Sequence, residues 1–321
     1  VERLGFNKSK REKEKSMLDL KNWNRAGAVF LISFILVSGF SFSWVNSAYG
    51  KSRINFSRSK GFRLTAKSAL VLDLDKGTVL YDKNSEEVRS IASLTKLMTA
   101  MVFLECGIDL FDTITISRED ARASAKSHLR PGETFYLLDL LHASLMPSDN
   151  RATRALVRAT GLSPQEFVER MNRKADSLGL DNTEFSDPTG LDADNVSTAW
   201  ETAKLLKVAL SYPLISQITT KTSYKFFSIN KRRRIHQLNN SNRLLRGDYE
   251  VLGGKTGFIG KSGWCLAVML KNIGERLCVV VLGAASNVRR FAEARHILKS
   301  VIQLEPLEKI GFSGESGPPV Q

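Results

Sequence analysis

The chain has 321 residues, 42% of them hydrophobic and 25% charged, with 22 glycines and 8 prolines. That content supports one substantial core or two smaller ones, and it excludes collagen-like and wholly disordered chains. The formal net charge of +14 bears on partners rather than on fold.

Residues 26–50 carry no charged side chain and follow a basic flank that includes Lys8, Lys10, Arg11, Lys21 and Arg25. This is the pattern of a secretory signal, with Ala48-Tyr49-Gly50 as the cleavage region. An uncleaved membrane anchor is the alternative. Either way the basic flank stays inside and the remainder lies outside the cytoplasm. The first residue is Val1, and Met17 is an alternative start. Residues 51–67 are basic and polar without an acidic group, and read as a linker.

Residues 68–74 and 78–81 read as two strands around an Asp75-Lys76-Gly77 turn, followed by a helix over 92–104. Residues 117–210 read mostly as helices and loops, with helices clearest over 137–145 and 164–178. Strand character returns near Val251 and is strongest over 263–270 and 277–283. A last helix over 288–304 spaces Val288, Phe291, Ala294, Leu298 and Val301 by threes and fours. Residues 305–321 form a flexible tail. The layout predicts an α+β fold, with an antiparallel sheet built from both chain ends and a helical middle region. One domain over 68–304 follows from it.

Cys106, Cys265 and Cys278 show no metal-type spacing, and the four histidines are scattered without an HExxH. No metal and no cofactor are expected. A hairpin centred on Asn272-Ile273-Gly274 would leave Cys265 and Cys278 out of register, against a disulfide. The basic run Lys231-Arg232-Arg233-Arg234 comes with no nucleic-acid motif and is read as a solvated loop, so no nucleic-acid partner is expected. An anionic polymer or a membrane surface suits the charge as well.

The chemistry is concentrated in residues 91–104. Apolar side chains lie almost all round this helix, which marks it as buried, and Lys96 is its only charged residue. Ser93 lies three positions earlier, on the same face. Burial lowers a lysine's pKa, and a neutral amine can then serve as general base to a serine hydroxyl. Ser-x-x-Lys is weak alone, since Ser57/Lys60 and Ser228/Lys231 repeat it. Ser148-Asp149-Asn150, expected on a loop after Pro147, and Lys255-Thr256-Gly257, entering the strand region, follow in chain order. This is the order of the three motifs of serine penicillin-recognising enzymes. Ser228-Ile229-Asn230 and Lys261-Ser262-Gly263 mimic the second and third motifs out of that order.

On these motifs the chain resembles the low-molecular-mass penicillin-binding proteins, the serine D-alanyl-D-alanine carboxypeptidases and endopeptidases of the peptidase S11 type. The likeness extends through Val71-Leu72-Asp73, Gly77 to Tyr81, Arg130-Pro131-Gly132-Glu133 and Asp187-Pro188-Thr189-Gly190-Leu191, covering roughly residues 68–301, most of the exported part. It implies a β-lactamase/DD-peptidase-like fold and an acyl-enzyme on Ser93, with Lys96 as base and Ser148 as proton relay. Asn150 would hold the substrate amide, and Lys255 and Thr256 its terminal carboxylate. Gly257 completes that motif, and the N–H groups of Ser93 and Phe258 would form the oxyanion hole. Substrates would be peptidoglycan peptides ending in, or cross-linked through, D-alanine. β-Lactams would act as covalent inhibitors, in the periplasm or at the outer face of the membrane. Ile259 and Ser262 depart from the family's usual residues.

Two other readings compete. A class A-like β-lactamase needs a deacylating glutamate; Glu184 is its candidate, but Phe185-Ser186-Asp187-Pro188 lacks the expected continuation. A non-catalytic wall- or polyanion-binding protein would have lost its nucleophile or base, and neither is lost. A P-loop at Gly254-Lys255-Thr256 fails because Tyr249 stands where the first glycine belongs.

Overall fold

The structure, a computed structural model, describes residues 63–122, 127–230, 234–272 and 274–308. The leader and most of the linker lie outside these residues, as do Lys231 to Arg233 of the basic run and the tail beyond Glu308. Among the described residues, no helix is long and apolar enough to cross a membrane.

Both chain ends build one antiparallel sheet, as expected. Strands β1 (Ser68–Asp73) and β2 (Thr78–Lys83) form a hairpin. Short pairs follow: β3 (Arg89–Ser90) with β6 (Val196–Ser197), and β4 (Thr113–Thr115) with β5 (Thr134–Tyr136). The ribbon β7 (Ser223–Phe227) and β8 (Ile235–Asn239) was not anticipated. Strands β9 (Glu250–Ile259), β10 (Gly263–Asn272) and β11 (Glu275–Ala284) complete the main sheet in the order β2-β1-β11-β10-β9.

The helices are α1 (Lys96–Glu105), α2 (Leu137–Leu145), α3 (Asn150–Ala159), α4 (Pro164–Ser177), α5 (Ala199–Leu210), α6 (Pro213–Thr220) and α7 (Asn287–Glu308). Their ends follow local chemistry. Ser163 and Glu166 close a capping box ahead of Pro164, and the Asp149 carboxylate caps α3. Asn150 therefore opens a helix rather than sitting on the loop expected for it.

The sheet buries both faces, which is why its strands read as continuous apolar runs. Leu70, Leu72, Ala267, Met269, Val280 and Leu282 face the helical middle, with α1 at its centre. Their neighbours Val71, Leu266, Val268, Val279 and Val281 face α7. The linker ends earlier than expected. Thr65 and Ala66 donate to the buried Glu293 carboxylate, and Lys67 N–H donates to Leu282 O, so these residues belong to the fold. Met269 pairs with Cys278 across β10 and β11, which leaves Cys265 far out of register; all three cysteines are free.

Candidate active site

The helix expected over 92–104 begins as a tight 3-10 turn, Ala92–Thr95, and becomes α-helical only at Lys96. Ala92 has φ +48°, a left-handed conformation that costs a non-glycine residue about 1–3 kcal/mol. Two glycines hold it there. A Cβ on Gly190 (φ +75°) would lie 2.2 Å from Ala92 O, and one on Gly257 would lie 3.0 Å from Ser93 N. Bare backbone thus packs on both sides of the residue that aims Ser93.

Lys96 Nζ is fully buried and donates to Ser93 Oγ at 3.1 Å, to Asn150 Oδ1 at 2.6 Å and to Thr189 O. Among the described residues, no carboxylate touches it. Burial pushes its pKa down to about 7, against the pull of the Asp187 and Asp149 charges. A neutral amine keeps two N–H groups and one lone pair. Asn150 Oδ1 and Thr189 O are acceptors only and take the two hydrogens, so the lone pair is left facing Ser93 Oγ. Asp187 fixes the loop that supplies Thr189 O: its carboxylate accepts from the N–H groups of Thr189, Gly190 and Asp192 and from Asn195 Nδ2. Thr99 Oγ1, on α1, ties the same loop down by donating to Pro188 O at 2.6 Å.

Ser148 has φ +71° and a buried Oγ with no hydrogen-bond partner among the described residues. An orphaned hydroxyl at a strained residue is a mark of function rather than of stability. The neighbouring Asn150 spends Oδ1 on Lys96, and its Nδ2 makes no hydrogen bond among the described residues.

Strand β9 forms the opposite wall. Lys255 is 1% exposed and donates to Thr256 O at 3.0 Å. Burial, then the positive charges of Lys96 and Arg290, holds its pKa well below the usual lysine range. Phe258 is exposed and stacks on its cross-strand partner Trp264 at 4.0 Å between ring centroids. Arg290 of α7 lies over Trp264 and donates from Nη1 to Gly257 O at 3.0 Å and to Cys265 O at 3.1 Å.

These parts share one cleft of about 620 Å³. Ser93, Ser148, Asn150, Thr256, Gly257 and Phe258 line it. Lys96 and Lys255 do not line it, whereas Arg290, which sequence reasoning missed, does. Asp187 was visible only as part of a motif, without its role under Thr189. Ser57/Lys60 and Lys231 of the competing motifs lie outside the described residues, and the serines that are described are engaged elsewhere. Ser228 Oγ is spent locally on Asn230 O and on Arg234 N–H, and Ser262 Oγ bonds Ile259 in the turn between β9 and β10. Glu184 is exposed, pairs through its backbone with Val196 and is absent from the cleft, so the β-lactamase reading has no glutamate there.

A family model described as D-alanyl-D-alanine carboxypeptidase, peptidase S11, matches residues 55–286. A D-alanyl-D-alanine endopeptidase of Pseudomonas aeruginosa is 36% identical over 73% of this chain and 76% of its own. The carboxypeptidase DacF of Bacillus subtilis is 33% identical over 87% of this chain and 73% of its own. Among solved structures, the Streptomyces K15 DD-transpeptidase matches at a TM-score of 0.70 and 26% identity, covering 75% of this chain and 98% of that one. Cefotaxime-bound penicillin-binding protein D2 of Listeria monocytogenes matches at a TM-score of 0.66 and 28% identity, covering 75% of this chain and 99% of that one. Fold and relatives together define a serine hydrolase of the DD-peptidase-like α+β class. Within that class, the chain belongs to peptidase family S11.

Proposed function

We propose that this chain is an exported serine D-alanyl-D-alanine peptidase that cuts peptidoglycan peptides through an acyl-enzyme on Ser93. The observation that carries the reading is the buried Lys96 amine, 3.1 Å from Ser93 Oγ and with a pKa of about 7. Ser93 Oγ attacks the carbonyl carbon between two D-alanines, and its proton passes to Lys96. The Ser93 and Phe258 N–H groups hold the oxyanion. Ser148 hands its hydroxyl proton to the departing amine and recovers one from Lys96, and Asn150 Nδ2 donates to the substrate amide carbonyl. Water then adds to the acyl carbonyl, releasing the acid and returning a proton to Ser93 Oγ. Thr256 binds the terminal carboxylate. Arg290 supplies the positive charge on the cleft side, while the buried Lys255 amine braces Thr256 by donating to its carbonyl oxygen.

β-Lactams present a comparable carbonyl and acylate the same serine. Labelled penicillin should attach to Ser93, as read by peptide mapping with mass spectrometry; label on Ser228, or none on folded protein, would sink the assignment. Turnover of the drug should be slow, since the cleft offers no Glu184 carboxylate for deacylation. Both carboxypeptidases and endopeptidases stand among the relatives. We favour the endopeptidase, which cuts cross-links, because two relatives of that name are 36% and 34% identical. Digestion of purified wall fragments tests this choice, with free D-alanine as the chief product counting against it. Export, to the periplasm or the outer face of the cytoplasmic membrane, rests on residues 26–50, and a phosphatase fused beyond them should be active.

A further inference from the structure

Ser241 follows β8 and touches both Thr256 of the third motif and Met146, two residues before the second. Its N–H and its Oγ both donate to Met146 O, at 3.1 and 2.9 Å, and Oγ lies 2.6 Å from Thr256 Oγ1. Met146 directly precedes Pro147 and Ser148, so one serine ties the Ser148 loop to strand β9. Its own backbone is pinned on both sides. Asn240 Nδ2 donates to Thr219 O and Lys221 O, while Asn240 Oδ1 accepts Asn242 N–H.

Each hydroxyl has one proton. With the Ser241 proton on Met146 O, the contact between the hydroxyls requires Thr256 to be its donor. Resting Thr256 then offers only lone pairs to the cleft, which repel a carboxylate. We infer that Ser241 is a positioning residue that turns the Thr256 hydroxyl into a donor when an anion arrives. Thr256 swings its proton onto the carboxylate, and Ser241 swings its own from Met146 O onto Thr256 Oγ1. No O–H bond breaks; both rotate. Met146 O keeps the Ser241 N–H throughout, so it is never left without a donor. In the bound state Thr256 accepts one hydrogen bond while donating another, and such chains polarise and strengthen each other.

The inference rests on the reading of Thr256 as the carboxylate ligand. Its test compares Ser93 acylation rates for a penicillin and for its methyl ester, in wild type, Ser241→Ala and Ser241→Thr. Loss of one hydrogen bond to a charged system is worth about a factor of ten. Ser241→Ala should slow the free acid about tenfold and the ester less than about twofold, and Ser241→Thr should restore the acid. Equal losses on both compounds, or no loss on the acid, would overturn the relay. A wild type that does not discriminate acid from ester would instead overturn the Thr256 reading, and the relay with it.

Discussion

Lys96 must lose a proton before it can accept one from Ser93. Its pKa of about 7, set by burial, makes it mostly protonated below that pH and mostly neutral above. Acylation of Ser93 should therefore rise with pH through about 7 and then level off, as stopped-flow with a chromogenic β-lactam would show. Asp187 and Asp149 hold the value up, so Asp187→Asn should move this limb to lower pH. Arginine keeps the charge but cannot deprotonate in a protein. Folded Lys96→Arg should lose about 10² to 10⁴ in acylation rate. A near-normal rate would remove Lys96 from the chemistry and point to Ser148. The Ser93–Lys96 pair was legible in the sequence because positions three apart on a helix must share a face. Arg290 was not, because its role depends on where α7 crosses β9 and β10. A helix pattern gives the apolar side of α7 but not that register.

Ser93 is aimed by backbone packing between elements. The left-handed Ala92 stays in place because Gly190 and Gly257 lack side chains, and Gly190 comes from a loop nearly a hundred positions away in the chain. The motif Asp187-Pro188-Thr189-Gly190-Leu191 was readable, yet nothing in it names Ala92 as its neighbour. The same contact explains why the predicted helix starts late: the chain must first turn through Ala92 and its 3-10 turn before α1 can propagate. Gly190→Ala would add a Cβ to a residue at φ +75° and press it against Ala92 O, so the Ser93 N–H must move. Destabilisation by about 1–3 kcal/mol is expected, together with a fall in acylation rate while the Lys96 pH limb stays near its place. Loss of stability with unchanged acylation would show that Ala92 does not aim the nucleophile.

The whole molecule depends on closing its sheet from both ends. β1 has no partner other than β2 until β11 is made, and only part of the sheet face that the helical middle packs against exists before then. That architecture was legible because both faces of the sheet are buried, leaving unbroken apolar strands at each end of the chain. The β7–β8 ribbon was not legible: its outer face is exposed, and Lys225, Gln237 and Asn239 dilute the apolar pattern. Closure is locked by α7, which lays Phe291, Ala294, Ile297, Leu298 and Val301 on the second face and fixes Thr65 and Ala66 through Glu293. Burying four large side chains of this kind is worth about 6–12 kcal/mol, as much as a whole domain's net stability of about 5–15 kcal/mol. Leu298 is fully buried, so Leu298→Ala should cost about 2–5 kcal/mol in urea unfolding. Val288 heads the same helix and is 62% exposed, so Val288→Ala should stay within about 0.5 kcal/mol. If the two variants unfolded at the same urea concentration, α7 would be an appendage. The sheet would then have to close without it, and Arg290 could not be held over the cleft by helix packing.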